Sequence, residues 1–239
     1  MGALFSDPKS LLYAVLGGAI PAIFWLWFWL SEEDAEEHEP RGLIALAFIL
    51  GGLSVVIAVW LEKYTATFIT DSKLQIIVWA GIEEVLKLFG VAAIVFGTNA
   101  ADEPIDYPMY FIAVALGFAA LENVMYLVHP FQVQGTVVAA LTGNLRYLGS
   151  TLLHLIASSM IGSALGLSFY LKEFRFLFLI VGLACAITLH SAFNFFIMKG
   201  SGENFLSVFG LLWVIAIINI LIFEKLKRMS YLSEGSSHA

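Results

Sequence analysis

Long apolar runs alternate with short polar stretches along this chain, and each run is long enough to cross a bilayer as a helix. The first lies near Leu11–Leu30, with Gly17-Gly18 and Pro21 inside it. Trp25, Trp27 and Trp29 crowd its far end, as an interfacial aromatic belt would. Further runs lie near Leu43–Leu61, Leu74–Phe96, Met109–Val128, Leu148–Leu171, Phe176–Met198 and Phe205–Phe223. The segment His129–Tyr147 holds a short apolar core, Val137–Leu141, among Gln, Gly, Asn144 and Arg146. It reads as a short eighth span, a re-entrant hairpin or an interfacial helix. No run shows the two-residue alternation of a membrane β-barrel. The pattern predicts an all-α polytopic membrane protein of seven spans, or eight if 129–147 crosses. It forms one membrane-embedded domain over 1–229, with a disordered tail over 230–239.

Composition agrees. Of 239 residues, 60% are hydrophobic and the mean hydropathy is +0.88, against about 45–50% apolar residues in an ordinary soluble domain. The first run is too long and too aromatic for a signal-peptide core, and no clear cleavage site follows, so it reads as a retained span. A net charge of -7 argues against nucleic acid as a partner. The single cysteine, Cys185, forms no intramolecular disulfide and so reports no redox compartment. The acidic stretch Ser31–Pro40 reads as a solvated connector.

Orientation follows less directly. With seven spans the Lys and Arg residues divide almost evenly between the two faces; an eighth span would gather most of them on one face. Depth favours seven. Glu83, Glu122, His154 and His190 then each lie about six to nine residues, or roughly 9–14 Å, below one shared face. The basic stretch Glu224–Arg228 leans cytoplasmic in that arrangement, and the site opens toward the outer face.

The ionisable residues inside the apolar runs carry the chemistry. A carboxylate in the hydrocarbon region costs about 2.5–3.5 kcal/mol on insertion scales, so such residues are functional by default. Glu83 and Glu84 are adjacent and point about 100° apart. Lys87 lies i+4 from one and i+3 from the other, so it pairs with either, leaving one glutamate to face a cavity. Glu122, with Asn123 beside it, and the imidazoles of His154 and His190 complete a zinc-ligand inventory with a spare base. Zinc acidifies its bound water, and a neighbouring carboxylate can take the proton. Asn194, one turn after His190, is placed to steady an oxyanion or to orient an imidazole. Gly-x-Ser-x-Gly and His-Glu-x-x-His are both absent. A proton or cation transporter built on the same cluster is the alternative class, though no internal repeat supports it.

Four motifs in this order resemble the signature of the PrsW-type intramembrane proteases, distant relatives of the type II CAAX-prenyl endopeptidases. They are Glu83-Glu84-x-x-Lys87, Phe118-x-x-x-Glu122-Asn123, Arg146 ahead of the run carrying His154, and His190-x-x-x-Asn194. The resemblance spans about Ile82 to Asn194. It implies a membrane-embedded metalloendopeptidase of the cell membrane that cuts membrane-anchored protein substrates, as in the first cleavage of an anti-sigma factor. It also implies that Glu83 or Glu84 activates water while Glu122, His154 and His190 hold zinc. The family's last motif is His-x-x-x-Asp. Asn194 instead matches the CAAX-type pattern, for which a glutamate-activated water without zinc is the implied mechanism.

Overall fold

The computed structural model describes residues 8–31, 39–95, 98, 100–133, 147–199 and 205–237. Every regular element among them is helical: α1 Pro8–Ser31, α2 Arg41–Thr65, α3 Ser72–Val95, α4 Asp106–Val133, α5 Leu152–Leu167, α6 Arg175–Lys199 and α7 Phe205–Ser237. A single π-turn, Tyr147–Thr151, leads into α5, and a 3₁₀ turn, Lys172–Phe174, leads into α6. Residues 134–146, which hold most of the expected re-entrant or interfacial element, lie outside the described residues, while 129–133 continue α4. The last helix runs on to Ser237, into the stretch expected to be a tail.

Six of these helices are long and apolar enough to cross a membrane. The expected count of seven differs at α3, where Glu83, Glu84 and Lys87 interrupt the apolar sequence. Local signals set its start: the Asp71 carboxylate accepts the backbone N–H groups of Lys73 and Leu74 at 3.0 and 2.8 Å, a side-chain N-cap.

Helices α4 and α5 form the centre. Tyr110, Phe111, Leu116, Leu153 and Ile156 are all buried there. The outer helices turn large apolar side chains outward, among them Ile20, Trp60, Phe176 and Leu206. In water that surface would be an aggregation liability; against lipid it is the solvated face.

Small residues set the close crossings. A methyl group at Gly51 of α2 would strike the carbonyl oxygen of Val114, and one at Gly117 of α4 would strike that of Phe48. Gly162 and Gly166 of α5 admit the backbone at Pro108 and Pro104 in the same way. Backbone cannot step aside as a side chain can, so Gly117→Ala is expected to cost about 1–3 kcal/mol. Thermal unfolding in detergent, compared with the open position Gly42→Ala, which meets nothing within 4 Å, checks this.

A second polar cluster ties the segment before α2 to the start of α4. Glu39 is buried, accepts a hydrogen bond from the Tyr110 hydroxyl and meets the Asp106 carboxyl. Burial pushes the Glu39 carboxyl above its ordinary 4.5; Tyr110 and Asp106 oppose the shift, and the negative charge of Asp102 adds to it. A raised carboxyl binds its proton more tightly in the folded state. Its contribution is therefore complete below about pH 4.5 and is lost as pH rises through the folded value. Glu39→Gln is expected to flatten that decline, and unfolding followed between pH 4.5 and 8 in detergent would show it.

Candidate active site

The four stretches singled out in the sequence meet at one point between α3, α4, α5 and α6. Glu83, Glu84 and Lys87 of α3, His154 of α5 and His190 of α6 are all buried. Glu122 of α4 keeps 17% of its side chain exposed.

Glu84 is fully engaged. Its Oε1 accepts Lys87 Nζ at 2.7 Å and His190 Nδ1 at 2.8 Å, and its Oε2 accepts Ser158 Oγ at 3.1 Å. A carboxylate with three donors has little acceptor capacity left for a substrate. The ambiguity of Lys87 between i+3 and i+4 is thus resolved toward Glu84. The Lys87 ammonium also lies 2.8 Å from His154 Nδ1 and 4.6 Å from the centre of the Phe118 ring.

The partners fix both tautomers. Lys87 only donates, so His154 Nδ1 carries a lone pair, and Nε2–H donates to Glu122 Oε2 at 3.0 Å. His190 donates from Nδ1 to Glu84, which leaves its Nε2 lone pair free. The His190 Nε2 lone pair faces Glu83, whereas the His154 Nδ1 lone pair accepts Lys87 and lies beside Glu83. Its Oε2 stands 3.9 Å from His154 Nδ1 and 3.7 Å from His190 Nε2, and is buried with no hydrogen-bond partner.

The donor set fits a metal. Ligand atoms of Glu83, His154 and His190 lie within 4.8 Å of one another. Two imidazoles and one carboxylate match a catalytic zinc set, and each imidazole has its far nitrogen held by a carboxylate, as metal-bound histidines usually do. The converging ligand atoms are those of Glu83, His154 and His190. Glu122 stands behind His154 rather than among the converging atoms. Glu84, not Asn194, orients the His190 imidazole, and the half-buried Asn194 makes no hydrogen bond among the described residues.

Ser158 and Glu62 are among the participants that escaped the sequence reading. Ser158 lies four residues after His154, on the same face, and that spacing was the available signal. Glu62, near the end of α2, lies beside Glu83, close enough for the two carboxyl groups to influence one another. The Trp79 indole donates to Thr65 Oγ1 at 3.2 Å, which sets the α2–α3 register one turn away.

Lipid-facing helices around a buried centre of carboxylates and imidazoles define a multi-pass integral membrane protein of the intramembrane-hydrolase type. Comparison with known families agrees with that class. The family model described as "PrsW family intramembrane metalloprotease" matches residues 39–222, and the chain belongs to that family. Curated relatives named "Protease PrsW" align along nearly the whole chain. That of Shouchella clausii is 22% identical over 225 residues, covering 92% of this chain and 97% of its own length. That of Oceanobacillus iheyensis is 27% identical over 221 residues, covering 88% and 95%. A third, from Geobacillus kaustophilus, is 31% identical over 117 residues, 47% of this chain and 51% of that protein. No solved structure matches the chain significantly.

Proposed function

We propose that this protein is a zinc-dependent intramembrane endopeptidase that hydrolyses a peptide bond of a membrane-anchored, anti-sigma-factor-type protein within or near the bilayer. One observation carries the reading: Glu83 Oε2, buried with no hydrogen-bond partner among the described residues, stands 3.7 Å from His190 Nε2 and 3.9 Å from His154 Nδ1 deep in the helix bundle. We read α3 as a seventh span, because its three charged side chains are buried while Leu74, Ile77 and Phe89 face outward.

Glu83, His154 and His190 would hold the zinc, which when bound supplies a water acidified to near neutrality. Glu122 and Glu84 fix the two imidazoles from behind, and Lys87 holds Glu84 in place. In the reaction the water oxygen bonds to the scissile carbonyl carbon and its proton passes to a carboxylate. The carbon–nitrogen bond then breaks as the amine leaves with a proton. Glu62 and Glu122 are the carboxyl groups beside Glu83 that can take that proton. The Asn194 amide, one turn beyond His190, is the donor available to a developing oxyanion.

A second reading has its own observation. Lys87 Nζ already engages His154 Nδ1, one of the three ligand atoms. With that contact kept, Glu83 itself is the base and no metal takes part.

The test is cleavage of a single-span membrane-anchored protein in proteoliposomes, with the new termini read by mass spectrometry. Ion flux without cleavage would replace the protease by a transporter. Metal analysis of the purified protein separates the two chemistries. Near-stoichiometric zinc that is lost in His154→Ala and His190→Ala supports the first reading, and cleavage that survives exhaustive chelation supports the second.

A further inference from the structure

We infer that Ser150 and Thr151, presented by the π-turn at the head of α5, are positioning residues that lock Glu122 and, through it, His154. Ser150 Oγ donates to Glu122 Oε2 at 3.0 Å, the same oxygen that accepts His154 Nε2 at 3.0 Å. Thr151 Oγ1, in a fully buried side chain, accepts Asn123 Nδ2 at 3.0 Å. Two consecutive residues of one helix head therefore grip two consecutive residues of α4. The inference rests on the proposed site.

The turn geometry makes this grip available. In a regular α-helix, neighbouring side chains diverge by about 100° and seldom engage one neighbouring helix together. A π-turn is wider, and such turns are concentrated at functional sites. Here it spans Tyr147–Thr151 and gives way to regular helix one residue later, so that His154 falls one turn beyond Ser150 on the same face. Ser150, His154 and Ser158 then form a polar stripe at four-residue intervals. Its ends hold Glu122 and Glu84, and its middle is the imidazole.

The consequence is the orientation of His154. With Ser150 fixing Glu122 Oε2, the carboxylate meets the Nε2 side of the ring, and Nδ1 stays on the side of Lys87 and Glu83. Without the Ser150 hydroxyl, Glu122 Oε2 loses a donor beside His154, and without the Thr151 hydroxyl the neighbouring Asn123 loses its tie to α5, so the support of the imidazole loosens. Partners of this kind typically change affinity or activity by about 10–100-fold.

The experiment compares Ser150→Ala, Thr151→Val and their double variant with the hydroxyl-keeping Thr151→Ser, all as full-length protein in proteoliposomes. The double variant is expected to lower kcat about 10–100-fold at little-changed KM, with Thr151→Ser near wild type. Nitrogen NMR of histidine-labelled protein gives a readout independent of turnover: the His154 Nε2–H signal should shift or broaden in the double variant and stay fixed in Thr151→Ser. A double variant with lowered thermal stability but unchanged kcat and unchanged His154 signals would overturn the inference. Glu83→Gln is the control for the underlying reading: if it cleaves normally, the proposed site fails, while the NMR comparison still decides the positioning role.

Discussion

Glu83→Gln is expected to lower cleavage by roughly 10²–10⁴-fold, by removing a zinc ligand in the first reading or the general base in the second, without lowering stability. Among the described residues no cation pairs with Glu83: its nearest imidazole nitrogen is 3.7 Å away, and its Oε2 has no hydrogen-bond partner. A buried carboxylate in that state is a cost to the fold, kept for what it does. Glutamine has nearly the same shape without the charge, so thermal unfolding should stay level or rise. Glu84→Gln should behave in the opposite way. It removes the counter-charge of a fully buried Lys87 and weakens the support of His190, so stability and activity fall together. The two neighbours thus differ in kind, one reactive and one structural. Normal turnover by Glu83→Gln in proteoliposomes would remove Glu83 from either proposed chemistry. A rise in stability on Glu84→Gln would break the division between them.

Much of this centre was legible because charge inside an apolar run is costly and therefore conspicuous. Glu83, Glu84, Lys87, Glu122, His154 and His190 stood out for that reason, and shared depth anticipated their meeting. The division between the adjacent glutamates was legible too, since helical geometry forbids both from aiming at one point. Which of them Lys87 takes was not, because i+3 and i+4 partners are both within reach and tertiary contacts decide. In this case His190 and Ser158 converge on Glu84 and draw the ammonium there. Glu62 was missed because it sits beside Lys63 at a helix end, where charge is cheap and tells little. Ser150, Thr151 and Ser158 were missed because hydroxyl residues are ordinary within membrane helices; only their spacing from His154 sets them apart. The length of each helix was the least legible feature. Helix α4 runs five residues beyond its apolar stretch, from Val128 to Val133, and α7 continues through the charged stretch Glu224–Arg228. Apolar sequence reports the thickness of the hydrocarbon layer, whereas helices extend past it.

Lys87→Met is expected to cost about 3–5 kcal/mol, the range for breaking a buried ion pair from one side. Lys87 and Glu84 are both completely buried, with Nζ and Oε1 2.7 Å apart, so no water can replace the missing partner. Methionine fills the space of the lysine stem and keeps contact with the Phe118 ring, which confines the loss to the charge. His190 and Ser158 would still donate to Glu84, so the carboxylate is stranded but not bare. The decisive comparison is the double variant Glu84→Gln/Lys87→Met. Removing both charges leaves nothing uncompensated, and stability should return close to that of the wild type. Activity should not return with it, because the carboxylate behind His190 is gone. Reversible unfolding in mixed micelles, set beside turnover in liposomes, separates the two readouts. If the double variant is no more stable than Lys87→Met alone, the pair is not what Lys87 stabilises. Its contacts with His154 and Phe118 would then account for its burial.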